Sequence, residues 1–203
     1  MTSLRAEFFT RFGLYVEREF LSRPVCASLT EEMRAGAGTP ATVAEGQEGD
    51  AVDDAYRRTK QADVSAASAA RINEQLVNAA PKLANHFRQE LAGLQKPQLL
   101  LYREGDFFRP HPDSSDQPGA ADYVRRRRVS AVVFLNGAAP DEPAGYSGGS
   151  LVFYGLMGES SGKTVGLPLD GETGMLVAFP SDLVHAVSSV TAGERYTIVS
   201  WFY

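Results

Sequence analysis

The chain has three histidines, His86, His111 and His185, so any chemistry that needs imidazole must draw on them. Asp113 stands two places after His111, and His185 follows His111 by 74 residues. Residues two apart on a strand share a face, so an imidazole and a carboxylate can converge on one metal, with the distant histidine completing the set. A facial set of two histidines and one carboxylate leaves the other face of an octahedron open, enough for a bidentate α-keto acid and dioxygen. Nitrogen and oxygen donors without thiolate suit Fe(II). An H-x-D sequence alone is common, and the plain alternative is a strand-end turn with a solvated His and Asp.

Arg195 lies ten residues after His185, in HAVSSVTAGER. A turn around Ala192-Gly193 would bring it onto a strand beside the one carrying His185, where an inward guanidinium can hold the far carboxylate of a dicarboxylic cosubstrate through two parallel hydrogen bonds. The alternative is a surface arginine paired with Glu194 or another acid. Tyr102, nine residues before His111, ends an apolar run and can present its hydroxyl to the same carboxylate; otherwise it is an ordinary core tyrosine. His86 sits in a helical stretch beside Phe87 and reads as a packing or surface residue.

These residues need a β-rich frame. From residue 97 onward short apolar runs bounded by Gly, Pro and Asp predict strands at 97–103, 127–136, 149–154, 164–169, 174–179, 182–188 and 195–202. Alternation puts Arg195, Thr197, Val199 and Trp201 on one face of the last strand and Tyr196, Ile198, Ser200 and Phe202 on the other, while Leu183, His185 and Val187 point together. Pro110 and Pro112 remove amides from one side of their strand, which predicts an edge or an irregular segment. The front half reads as helical: residues 3–20 and 69–94 carry apolar side chains at spacings of three and four, with Pro81 kinking the second stretch or restarting it. Between them the Gly- and acid-rich segment 34–52 reads as a mobile linker. Helices first and strands afterwards predict an α+β domain over residues 1–203, with 1–96 mainly a helical support and 97–203 the core.

Composition narrows the functions. Twenty Lys and Arg against 25 Asp and Glu give a net charge of −5, so no global basic field draws the chain to nucleic acid or anionic lipid. One cysteine, Cys26, excludes an internal disulfide, and with three histidines leaves almost no room for a four-ligand Cys/His zinc site. The charged N-terminus lacks a signal-peptide core and no run is long enough to span a membrane, which predicts a cytoplasmic protein. The run Arg125–Arg128 reads mostly as a solvated face, its last member able to turn inward, and the loop 114–124 as either a lid or a surface connection.

The order YxxGxxFxxHxD (Tyr102 to Asp113), VVFLN, GGSLVFY, LVAFPSDLVHAVSSVTAGER and YTIVSWF over residues 97–203 resembles the iron- and 2-oxoglutarate-dependent dioxygenases, prolyl 4-hydroxylase branch. That resemblance implies a double-stranded β-helix (jelly roll), Fe(II) held by His111, Asp113 and His185, and 2-oxoglutarate anchored by Arg195 with Tyr102, with ascorbate as an auxiliary reductant. It also implies hydroxylation of a C–H bond, foremost in a prolyl residue of a protein or peptide, with release of succinate and CO2. Hydroxylation of a free amino acid or other small molecule is the alternative. A metal-free jelly-roll binding module is a third, and nucleic-acid dealkylation is disfavoured. The chain departs from the pattern at Ser150, where an acid usually follows the glycine pair, and at Phe134, where some relatives carry tyrosine.

Overall fold

A computed structural model describes residues 8–36, 38–44, 50–51, 53–138, 144–158 and 165–203. The larger of two main sheets runs in the order β1 (Tyr15–Glu17), β13 (Leu176–Pro180), β9 (Val129–Phe134), β16 (Arg195–Phe202), β7 (Gln98–Tyr102), β6 (Lys60–Ala62) and β2 (Thr39–Pro40). The smaller runs β12 (Leu167–Leu169), β11 (Leu151–Phe153), β14 (His185–Val187), β8 (Phe107–His111) and β5 (Arg57–Arg58). Two short pairs, β3 (Val43–Ala44) with β4 (Asp50–Ala51) and β10 (Ser147–Gly148) with β15 (Val190–Ala192), complete the described strands. All the pairings are antiparallel.

Alternation along the central strands separates two cores. On one face of the large sheet Leu99, Leu101, Ala131, Val133, Tyr196, Ile198 and Phe202 pack under α1 (Arg23–Ala35) and α2 (Ala66–Phe87), which contribute Cys26, Leu29, Met33, Ile72, Leu76 and Leu83. On the other, Val132, Phe134, Val177 and Phe179 meet Leu151, Phe153 and Leu169 of the small sheet. The result is helices on a sheet on a sheet, a jelly-roll sandwich backed by N-terminal helices.

Several expectations are corrected. The segment 3–20 is not one helix: residues 1–7 lie outside the described residues, and the helical turn at 8–10 gives way to β1, paired with β13. Gly13 at φ 85° supplies the reversal, a conformation that costs a residue with a Cβ. The second helix runs unbroken through Pro81, which is exposed, so water can satisfy the carbonyl left without an amide donor. It ends at Phe87, where Arg88 turns left-handed at φ 52°, and does not continue to 94. Residues before 97 also supply strands: β2 and β6 extend the large sheet and β5 the small one. Within the segment 34–52, residues 37, 45–49 and 52 lie outside the described residues; the remainder includes β2, β3 and β4.

Candidate active site

The facing positions of β8 and β14 make His111 and His185 cross-strand partners. His111 Nε2 lies 3.8 Å from Asp113 Oδ1 and His185 Nε2 lies 3.4 Å from Asp113 Oδ2. One donor atom from each of the three residues falls within 4.8 Å of the others, and all three are buried. Adjacent ligands on an octahedral metal with bonds of ~2.1 Å stand about 3 Å apart, so these atoms need only close slightly. Each imidazole uses Nδ1 to reach a backbone carbonyl two residues back, His111 to Arg109 O at 2.7 Å and His185 to Leu183 O at 2.9 Å. A carbonyl only accepts, so Nδ1 carries the proton and the Nε2 lone pair points toward Asp113.

Asp113 follows Pro112 and leaves the strand, its amide donating to Ser181 O at 2.8 Å. The small sheet's last strand, β5, covers β8 only at Phe107 and Phe108, so the proline-flanked end of β8 is the irregular segment the two prolines require. Burial alone would raise the Asp113 carboxyl. The two imidazoles, the Ser130 hydroxyl and the Arg127 guanidinium outweigh it and hold Asp113 below the usual carboxylate range. His111 is pushed down to about 3, first by desolvation and then by repulsion from His185, so it is the neutral ligand form near pH 7.

A cavity of about 580 Å³ opens between the sheets from this triad, lined also by Tyr102, Val132, Leu151, Val187, Thr197, Val199, Trp201 and the segment 115–124, whose end is the short helical turn Asp122–Arg125. The expected inward face of β16 is thus the cavity wall, with Arg195, Thr197, Val199 and Trp201 all lining it. Val132 and Val187 line it too, whereas Leu183 packs with the core between the sheets, because β14 begins only at His185.

Arg195 is 1% exposed. Its Nη1 donates to Thr197 Oγ1 at 3.3 Å, and its guanidinium carbon lies 5.0 Å and 5.1 Å from the ring centres of Tyr102 and Phe134. Its Nε is buried without an acceptor, and it does not pair with Glu194, whose carboxylate instead binds Arg34 and Arg103. One placement differs from the sequence expectation: β16 does not neighbour β14 but lies in the opposite sheet, between β9 and β7. Arg195 therefore faces the triad across the cavity between the sheets. The register makes Tyr102 its direct cross-strand partner.

Two residues at this end escape sequence reasoning. Tyr146 is 1% exposed and its hydroxyl lacks a partner; burial pushes it up, while the neighbouring Arg195 acts in the other direction. Gly149, at φ 61°, lies under both side chains: a Cβ there would stand 2.9 Å from Arg195 Cδ. Ser150 in place of an acid does not strip the turn of a carboxylate, because its hydroxyl donates to Asp170 Oδ1 at 2.6 Å. At the other end Arg127, rather than Arg128, is the arginine that turns inward. It donates to Asp113 O at 3.0 Å and lies 3.7 Å over Trp201. His86 is a packing residue, edge-on to Tyr15 and Phe87 with its Nε2 3.1 Å from Gly13 O.

A thiolate-free His, Asp, His set with both Nε2 lone pairs directed inward fits a ferrous ion, and a buried guanidinium whose Nε lacks an acceptor at the far wall fits a dicarboxylate bound to it. Fold and donor set together define a non-haem iron oxygenase, and the comparisons agree. Residues 97–203, more than half of the chain, match the 2OG-Fe(II) oxygenase superfamily, and the chain belongs to that family. A PKHD-type hydroxylase of Thermosynechococcus vestitus is 34% identical over 100 residues, 49% of this chain and 39% of the relative. The chain thus spans about two fifths of that relative's length.

Among solved structures, a Pseudomonas putida prolyl-4-hydroxylase matches with a TM-score of 0.67 at 22% identity, covering 100% of this chain and 98% of that one. A Trichoplax adhaerens prolyl hydroxylase in complex with a hypoxia-inducible-factor peptide matches at 0.70 and 17%, covering 98% and 87%. HygX from Streptomyces hygroscopicus, with nickel, 2-oxoglutarate and hygromycin B bound, matches at 0.64 and 16%, covering 100% and 87%. At these identities the likeness concerns the fold. Among the described residues no helix is long and apolar enough to cross a membrane.

Proposed function

We propose that this chain hydroxylates a C–H bond, foremost in a prolyl residue of a protein or peptide, using Fe(II) held by His111, Asp113 and His185 and 2-oxoglutarate held by Arg195. The observation that carries this is the pairing, across one cavity, of three convergent ligand atoms with a buried guanidinium that has no carboxylate partner among the described residues. When bound, Fe(II) and 2-oxoglutarate would supply, with dioxygen as the oxidant, an oxidative decarboxylation that yields succinate and CO2, one oxygen atom entering succinate and the other the hydroxylated C–H bond.

The chain's own residues position and protect. Carbonyls of Arg109 and Leu183 fix the imidazole tautomers, and Arg127 holds the backbone beside Asp113, so the ligand set is preorganised. Arg195, steadied by Thr197 and the rings of Tyr102 and Phe134, neutralises the far carboxylate of the cosubstrate. Val132, Leu151 and Val187 keep bulk water from the reacting face. Titration of anaerobic protein with Fe(II) and 2-oxoglutarate tests the site. A weak visible charge-transfer band should appear and vanish in His111→Ala; a protein that gives no band is a binding module.

The prolyl substrate is supported by the likeness to prolyl hydroxylase folds, one of them peptide-bound. A free amino acid or other small molecule is the second reading, favoured by a cavity whose volume suits a small ligand and by the likeness to HygX. A mass-spectrometric screen of proline-containing peptides against free amino acids separates them; turnover confined to free amino acids would eliminate the protein-hydroxylase reading.

A further inference from the structure

Arg57 comes from the front half of the chain, on β5, and is 6% exposed. It reaches the metal end of the cavity through β5 and β8, where it is the cross-strand partner of Phe108. Its guanidinium carbon lies 4.7 Å over the Phe108 ring, which stacks on His111 with centres 3.6 Å apart. Nη1 donates to Thr42 O at 2.6 Å, while Nε is buried without an acceptor. Arg57 has no carboxylate partner among the described residues. That buried, unmatched Nε is a state that a ligand carrying an anion relieves.

The charge of the cavity points the same way. Its described lining holds the three guanidiniums of Arg57, Arg127 and Arg195 against one carboxylate, Asp113. A divalent metal adds two positive charges and 2-oxoglutarate removes two, so a surplus of two positive charges remains in a protein of net charge −5. Arg127 is committed to Asp113 O, Gln95 and Trp201, and Arg195 stands at the opposite wall beside Tyr102. Arg57 is left for the substrate, beside the metal ligand His111.

We propose that the substrate carries a carboxylate close to the carbon that is hydroxylated, and that Arg57 binds it, setting specificity. This rests on the oxygenase reading above. A planar carboxylate matches the guanidinium fork, and either a free amino acid or an acidic side chain next to the target residue in a peptide supplies it. A neutral analogue leaves Arg57 desolvated and unpaired, which is what makes the discrimination large.

The test reads binding and not turnover. Anaerobic protein loaded with Fe(II) and 2-oxoglutarate is titrated with L-proline against L-prolinamide, and with a proline peptide flanked by Glu against the same peptide with Gln. Perturbation of the charge-transfer band is followed. In at least one pair the carboxylate-bearing member should bind about tenfold tighter, and the responding pair identifies its source. The gap should shrink to under about twofold in Arg57→Gln and return in part in Arg57→Lys, with 2-oxoglutarate affinity and Tm unchanged. Equal affinities within both pairs, no response to any probe, or a gap that survives Arg57→Gln overturns the inference. So does a parallel loss of 2-oxoglutarate affinity, which assigns Arg57 to the cosubstrate. Failure of the oxygenase reading looks different: the wild-type protein then gives no band before any probe is added.

Discussion

At the scale of single residues, the far wall of the cavity is a guanidinium stripped of water and offered, among the described residues, one hydroxyl, two ring faces and no carboxylate. Replacing Arg195 with Gln removes a charge-assisted pair worth about 1.5–3 kcal/mol, so 2-oxoglutarate affinity should fall by roughly 10- to 100-fold. Titration of the charge-transfer band measures it. Tyr146→Phe separates packing from ligand binding. Its hydroxyl is buried without a partner, so removing it should leave the unliganded Tm unchanged or slightly raised. If the hydroxyl supports the cosubstrate through Arg195, the rise in Tm on adding metal and 2-oxoglutarate should shrink, which differential scanning fluorimetry reads directly. Phe134, lacking a hydroxyl, offers Arg195 a ring face in its place.

Among elements, the turn between β15 and β16, with Gly193 at φ 76°, delivers Arg195, and Glu194 ties it down. Its carboxylate accepts from Tyr196 Oη at 2.5 Å and pairs with Arg103 at 3.1 Å and Arg34 at 3.4 Å, joining β16 to the end of β7 and to α1. Desolvation raises the Glu194 carboxyl, but Tyr196, Arg103 and Arg34 outweigh it and hold it below the ordinary 4.5. A depressed carboxyl contributes stability that is full above its unfolded value and lost as pH falls through the folded one. Between about pH 5 and 3 the wild-type Tm should therefore drop more steeply than that of Glu194→Gln, the two curves converging at the acid end. Parallel curves would mean that the pair contributes nothing. The strand facings of β16 were legible because its alternation spans eight residues, RYTIVSWF, with one face pressed under helices and the other lining the cavity. The short strands β2 and β5 were not, because two-residue elements carry no period and are held by neighbours distant in sequence.

For the whole molecule, the outer face of the large sheet is covered by α1 and α2. Residues 97–203, although they hold the family match and the proposed ligands, share the core that buries Leu99, Leu101, Val133, Ile198 and Phe202 with that helical layer. Expressed alone, 97–203 should fail to give a cooperative thermal transition, whereas the full chain should give one. An independently folding 97–203 would refute the assignment of 1–96 as an integral support. Within that layer Leu83→Ala, at 0% exposure, should cost about 2–5 kcal/mol in urea unfolding with the metal site intact.

The sequence by itself determined which residue types were available and in what order: three histidines, with His111, Asp113 and His185 as candidate metal ligands through the family resemblance, and strands whose alternation placed Arg195 and Trp201 on one face. Those are local properties, carried by spacing and period. Only the tertiary structure decided that Arg195 faces the triad across the cavity between the sheets and not from an adjacent strand, that Tyr146 and Gly149 form its bed, and that Arg127 turns in. It also brought Arg57, from a part of the chain with no recognisable motif, beside His111. Such placements depend on which strands pair and which sheets face, and that is settled by burying apolar faces together over the whole chain.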